Sequence, residues 1–199
     1  MMHARAFIFL AEGFEEIEAI APADILRRST RQVYLVSISE SLAVTSAHQI
    51  TVQADMNWEE FISHHADALA ENREKTALVF PGGLPGAENL ANHKTLMSLA
   101  GEHFRAQGIV CAICAAPGTI LPRLEGCDIQ NRKFTCYPGF EENPLSQGAV
   151  YTGESCCRDG HLITANGPGS AMEFGYCIAA ALTTESAIAV LKNGMMYRE

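Results

Sequence analysis

Cys114 stands where an apolar run, Gly108 to Ile113, meets the small residues Ala115, Ala116, Pro117 and Gly118. A strand that ends on a nucleophile and turns at once into a helix lifts that side chain above the sheet edge, as in the nucleophile elbow of hydrolases. The helix start favours thiolate over thiol and offers free backbone N–H groups. The plain alternative is a buried, inert cysteine, common for this residue type. Cys111, three residues earlier, lies inside the apolar run and reads as packing.

Two other features supply what a reactive sulfur needs. Pro81-Gly82-Gly83 follows the apolar run Thr76 to Phe80. Glycines let a backbone turn sharply and approach a ligand closely. Their N–H groups, with that of Ala115, are candidates to hold an oxyanion, although a simple tight turn explains the glycines equally well. Neither G-x-G-x-x-G nor G-x-x-x-x-G-K-[ST] occurs, which argues against a phosphate loop. The acids Glu12, Glu15, Glu16 and Glu18 open a helical pattern. Acids in a first turn complement the helix dipole and face water, which accounts for Glu12, Glu15 and Glu16. Glu18 lies among Ile17, Ala19 and Ile20. Desolvation there raises a carboxyl pKa and keeps a proton available for a neighbouring sulfur.

The elements that must position these residues follow from periodicity. Ala4 to Leu10, Val33 to Ile38, Thr76 to Phe80 and Gly108 to Ile113 read as buried parallel strands. The segment Glu15 to Arg28 reads as helix, with a kink or late start expected at Pro22. Helices are expected over Trp58 to Ala70, over Glu88 to Gln107 in one or two pieces, over Ser170 to Leu182 and over Glu185 to Lys192. Leu42 to Val44, Ile50 to Val52 and Gly148 to Tyr151 read as short β pieces, and Asp159-Gly160 as a hairpin turn before the strand His161 to Thr164. Alternating strands and helices give a doubly wound, mostly parallel sheet with helices on both faces. Sites in such sheets form at the carboxyl ends of strands, where Glu12 to Glu18, Gly82-Gly83 and Cys114-Ala115 all fall.

The whole chain narrows the classes of function. Its 199 residues, 48% hydrophobic and 19% charged, fit a single domain spanning 1–199. A net charge of −9 argues against nucleic acid or an anionic membrane as partner. No apolar stretch is long enough to span a membrane, and the run Ala6 to Ala11 is too short for a signal-peptide core. A cytoplasmic location is the expectation. Seven cysteines without a secretory signal read as reduced thiols. Cys111-x-x-Cys114 admits zinc or redox chemistry, but zinc needs a second pair, and adjacent Cys156-Cys157 chelates poorly.

Taken together, these segments resemble the DJ-1/PfpI (also ThiJ/PfpI) superfamily. The matching motifs are Glu12-Gly13-Phe14-Glu15-Glu16-Ile17-Glu18, Pro22-Ala23-Asp24-Ile25-Leu26-Arg27-Arg28, Val79-Phe80-Pro81-Gly82-Gly83, Ala112-Ile113-Cys114-Ala115-Ala116-Pro117, Tyr137-Pro138-Gly139-Phe140-Glu141, and Gly167-Pro168-Gly169 leading into Glu173-Phe174. They run in order along nearly the whole chain, and the chain is similar to the DJ-1/ThiJ-like bacterial branch. The resemblance implies a flavodoxin-like fold, related to class I glutamine amidotransferases, and a homodimer with each site near the interface. It implies a Cys114 nucleophile hydrogen-bonded to a protonated Glu18, an oxyanion pocket from Gly83 and Ala115, and no metal or organic cofactor. It points to Tyr137, His48, Pro168 and Glu15 as possible substrate-pocket residues. The activities it implies are glyoxalase III-like or protein deglycase-like chemistry on α-oxoaldehydes or glycated adducts. The alternative is a redox-sensing or chaperone-like protein in which Cys114 is oxidised to sulfinic acid.

Departures from the family pattern shape these expectations. Tyr137 stands where members with glyoxalase activity often carry histidine, and tyrosine, with an ordinary pKa of about 10, is a weaker base near neutral pH. Ala115 stands where the protease-like branch places a histidine, which argues against peptidase activity. His161 is followed by Leu162 and Ile163, not by the His-x-Glu of amidotransferases. His48 falls near a position where relatives place a basic residue, and it also reads as an ordinary surface histidine. His64 and His65 fall on an expected polar helix face.

Overall fold

The computed structural model describes residues 4–30 and 32–198. In chain order its elements are β1 (Arg5–Leu10), α1 (Glu16–Ser29), β2 (Gln32–Ser37), β3 (Ala43–Thr45), β4 (Thr51–Gln53), β5 (Met56–Asn57), α2 (Trp58–Glu71), β6 (Thr76–Phe80), α3 (Gly86–Asn92), α4 (Lys94–Arg105) and β7 (Ile109–Ile113). Then come α5 (Ala116–Ile120), β8 (Lys133–Phe134), α6 (Glu142–Ser146), β9 (Val150–Tyr151), β10 (Cys156–Asp159), β11 (Leu162–Ala165), α7 (Ala171–Leu182) and α8 (Glu185–Gly194).

The continuous apolar runs become the centre of a seven-stranded sheet ordered β10-β11-β7-β6-β1-β2-β5. Every neighbouring pair is parallel except β10–β11. Side-chain alternation explains why these strands are apolar throughout. On β1, Ala6, Ile8 and Leu10 enter a core shared with α1, α7 and α8. Phe7 and Phe9 enter the opposite core, under α2, α3, α4 and α5. Both faces of the sheet are therefore covered, as expected for a doubly wound architecture.

Helix α1 starts at Glu16 and runs through Pro22 to Ser29, so the proline does not delay its start. Proline only withholds one N–H from the carbonyl a turn back, here that of Glu18. At Gly175, α7 crosses close to α1: an added Cβ would lie 2.7 Å from Ile25 Cδ1 and 3.1 Å from Pro22 Cα. The expected two-piece helix is α3 and α4, broken at His93, whose ring caps α4 through the Leu96 N–H. The strands around Asp159-Gly160 form the antiparallel β10–β11 hairpin. β5, β8 and α6 were not anticipated, because two to five residues are too few to show a period.

Candidate active site

The carboxyl ends of β1, β6 and β7 bring Glu18, Gly82-Gly83 and Cys114 together. β7 ends at Ile113, and Cys114 turns the chain with φ +64°. That left-handed conformation is uncommon outside glycine and marks strain held in place by surrounding structure. Two backbone hydrogen bonds hold it: Cys114 N–H donates to the Ala165 carbonyl at 2.9 Å, and Tyr137 N–H donates to the Cys114 carbonyl at 2.8 Å. The elbow is therefore clamped between the end of β11 and the segment after β8. Cys114 itself is half-buried.

Glu18 is completely buried. Its Oε2 accepts the Gly82 N–H at 2.8 Å, while its Oε1 has no hydrogen-bond partner among the described residues. When Glu18 is protonated, the hydrogen therefore belongs on Oε1. No side chain fits at position 82, since a Cβ there would lie 2.6 Å from Glu18 Oε2 and 2.7 Å from Cys114 Cβ. Glycine is thus required for acid and sulfur to meet. The Gly82 N–H, expected to serve an oxyanion, is instead taken by Glu18; the N–H groups of Ala115 and Gly83 are the ones that reach the Cys114 sulfur.

Burial pushes the Glu18 carboxyl up to about 7, against hydrogen bonds from Cys114 and Gly82. Burial, and then the Glu18 charge beside it, pushes the Cys114 thiol up to about 12, against the pull of the Ala115 and Gly83 N–H groups. This corrects the expectation of a thiolate at rest. Helix α5 has only five residues, too short a dipole to overcome desolvation and an adjacent carboxylate. Two such groups titrate as a pair. The pair gives up its first proton near 7 and its second near 12.

Around this pair the other expected residues divide. Glu15 is 7% exposed and caps α1 by accepting the Glu18 N–H at 2.8 Å. It is a buried cap one turn from the site, which corrects the expectation of an acid facing water. Glu12 is exposed, as expected. Tyr137 joins the site through its backbone, with its ring exposed and lying over Gly167, which precedes Pro168. His48 is exposed and its Nδ1 lies 2.9 Å from Glu16 Oε1. The hydrogen bond and charge of Glu16 hold His48 above its ordinary value. Glu15, Glu16 and His48 bring one ligand atom each within 4.8 Å of one another, a donor set that suits a divalent cation. Cys111 is fully buried in β7, as its place in the apolar run predicts. His65 packs against the rings of Phe7 and Tyr34 and does not lie on a wholly polar face.

The family model of the DJ-1/PfpI family matches residues 4–181. This chain belongs to the DJ-1/PfpI family. It is 30% identical over 199 residues to Drosophila melanogaster protein dj-1beta, covering 98% of both chains. It is 29% identical over 173 residues to the Caenorhabditis elegans glutathione-independent glyoxalase DJR-1.2, covering 86% of this chain and 84% of that one. The crystal structure of Drosophila melanogaster DJ-1beta superposes with a TM-score of 0.86 at 28% identity, covering all of both chains. A DJ-1 superfamily protein from Salmonella typhimurium, carrying a cysteine-to-alanine substitution, gives 0.81 at 28% identity, over 98% of this chain and 100% of that one. This chain thus shares the flavodoxin-like α/β fold of these structures. Among the described residues, no helix is long and apolar enough to cross a membrane.

Proposed function

We propose that this protein is a cysteine-dependent enzyme that converts small α-oxoaldehydes into 2-hydroxy acids without a cofactor. One observation carries the reading: a buried carboxyl with an unpartnered oxygen and a proton affinity raised to about 7 stands beside a thiol on a strained elbow. The Cys114 sulfur, having passed its proton to Glu18, adds to the aldehyde carbon. The alkoxide takes the proton from Glu18, giving a hemithioacetal. Glu18, now a carboxylate, removes the hydrogen on the carbon bonded to sulfur, and the electron pair moves toward the ketone oxygen to form an enediolate. Return of that proton to the adjoining carbon, with the hemithioacetal hydroxyl hydrogen passing to the former ketone oxygen, leaves a thioester of a 2-hydroxy acid. Water hydrolyses the thioester and restores the thiol. The N–H groups of Gly83 and Ala115 stabilise negative charge on sulfur and, during addition, on the nascent oxyanion. Burial makes Glu18 both acid and base near neutral pH. Activity on glycated adducts would begin with the same sulfur attack.

The relative named as a glutathione-independent glyoxalase supports this substrate class. The reading includes a homodimer: Ile17 and Ile20 are 52% and 39% exposed on α1, flanking Glu18 in sequence, and a second copy would cover them. The test is turnover of methylglyoxal in buffer free of amines and thiols. Cys114→Ser should abolish turnover with the fold intact, and Glu18→Gln should reduce it by at least about 100-fold. Unchanged turnover in Cys114→Ser would sink the mechanism. The rate should rise with pH through about 7, as the pair loses its first proton.

A second reading has its own support. The unpartnered Glu18 Oε1 and the two N–H groups at the sulfur also suit a sulfinic acid on Cys114. Addition of two oxygens at Cys114 under mild peroxide, with no aldehyde turnover, would favour it.

A further inference from the structure

Three cysteines that the proposed reaction leaves unused lie where α7 meets the sheet. Cys156, on the edge strand β10, pairs with Ala165 of β11, and Cys111 of β7 pairs with Ile163 two residues away. Alternation therefore puts Cys111 and Cys156 on the sheet face covered by α7, and turns Cys157 to the other side. Helix α7 is fastened to the start of β10 by Ser155 Oγ–H, which donates to Glu173 Oε2 at 2.7 Å. One helical turn beyond Glu173, Cys177 of α7 packs with Cys156 and Cys111 against the same core. Cys156 and Cys177 are half-buried. Cys177 also lines an open cavity of about 530 Å³ together with Tyr176, Ile188 and Lys192, wide enough to admit a small oxidant.

We propose that Cys156 and Cys177 form a second redox centre, distinct from Cys114, that closes to a disulfide on exposure to a hydroperoxide. The inference does not depend on the aldehyde reading. The roles of the two sulfurs differ. The hydrogen bond from Cys156, helped by Arg158, holds Cys177 below its ordinary value, whereas Cys156 is pushed up. The thiolate is the nucleophile in such chemistry, so Cys177, which also faces the cavity, attacks first. Its sulfur bonds to one peroxide oxygen, the O–O bond breaks, and the leaving oxygen departs as water (or as the alcohol of an organic hydroperoxide), leaving a sulfenic acid. The Cys156 sulfur then displaces that hydroxyl, forming the S–S bond and releasing water. Two thiols are oxidised by two electrons and one peroxide is reduced.

The test uses the full chain, treated with hydrogen peroxide, alkylated and digested with trypsin without reduction. Cleavage after Lys133, Arg158 and Lys192 places Cys156 and Cys177 on peptides 134–158 and 159–192. The expected product is these two peptides joined, two hydrogens lighter than their sum. It should form in wild type and equally in Cys114→Ser, and be lost in Cys177→Ser. Peptide 134–158 also holds Cys136 and Cys157, so Cys156→Ser must lose the link while Cys157→Ser and Cys136→Ser keep it. A link that survives Cys156→Ser, higher oxides on Cys177 without any link, or Cys156 and Cys177 both remaining reduced while Cys114 is oxidised would each overturn the proposal.

Discussion

Strand β6 carries a buried ionisable group at each end, and the two ends behave differently. At its carboxyl end, Glu18 bonds the Gly82 N–H. At its amino end, the His103 ring donates from Nε2 to the Thr76 carbonyl at 3.0 Å. Each group sits against a glycine with no room for a Cβ, Gly82 above Glu18 and Gly108 above the His103 ring. Each leaves one polar atom without a partner, Glu18 Oε1 and His103 Nδ1. Burial drives both toward neutrality: Glu18 is raised to about 7, and His103 is lowered to about 4. The difference lies in what faces them. His103 meets a backbone carbonyl and completes a core. Glu18 meets a thiol on a left-handed turn, with spare N–H groups around it. Wedging a polar group against glycine is thus a folding device in both places, and the proposed chemistry belongs to the one that faces a thiol on a left-handed turn.

The largest effect expected from breaking this symmetry is at the glycines. Gly82→Ala should displace Glu18 from the sulfur and lower kcat/KM for methylglyoxal by at least about 100-fold, because a misplacement near 1 Å is costly to catalysis. Gly108→Ala should destabilise the fold by about 1–3 kcal/mol through overpacking against His103, with turnover per folded molecule unchanged. Denaturant titration and steady-state kinetics on both variants separate the two outcomes. Full turnover in Gly82→Ala would show that acid and sulfur need not meet.

The pH dependence of stability should carry the same two groups with opposite sign. Between about 4.5 and about 7, native Glu18 holds a proton that the unfolded chain has lost. Folding then binds an extra proton, so stability falls as pH rises through that window, by up to about 3 kcal/mol. Between 6.5 and about 4, the unfolded chain protonates its histidine while native His103 stays neutral. Stability falls as pH falls through that window, by a similar amount. Glu18→Gln should remove the first slope and keep the second; His103→Gln should do the reverse. Unfolding free energies measured across the acid range check both, and slopes indifferent to either variant would contradict the burial assigned here.

Much of the reactive end was legible in the sequence, for reasons that were only partly the right ones. The elbow at Cys114 followed from a buried run meeting small residues, and its φ of +64° agrees. Glu18 stands out in the sequence because Ile17, Ala19 and Ile20 lie beside it; Ala19 is buried, but both isoleucines are exposed. Glu18 is instead buried in the folded chain with Gly82 and Cys114 against it; both are far away in sequence, and no local pattern reports such contacts. The protonation state of the sulfur differs from the sequence expectation for the same reason, since a helix start is visible locally and a carboxyl brought in from helix α1 is not. Gly82 as the donor to Glu18, and Ala165 as the anchor of the elbow, left no signal beyond their strand ends. The His103 end was not legible at all: a histidine in an amphipathic helix looks alike whether it faces water or the sheet.

His48 offers the smallest contrast and the sharpest one for charge at the rim. It is 66% exposed in its side chain and paired with Glu16, unlike the buried groups at either end of β6. Exposed pairs of this kind contribute little. Since Glu16 raises its proton affinity, whatever it contributes is present below the ordinary histidine value and fades as pH climbs through the raised one. His48→Ala should therefore melt slightly below wild type near about pH 6 and level with it near about pH 8, where the imidazole is largely neutral. If His48 also helps to hold a carbonyl substrate, KM should rise in the variant while kcat stays unchanged, because a residue at the rim acts on binding and not on the transfer of protons between Glu18 and Cys114. A fall in kcat without any change in KM would place His48 inside the proton pathway and undo the separation drawn between the exposed rim and the buried pair.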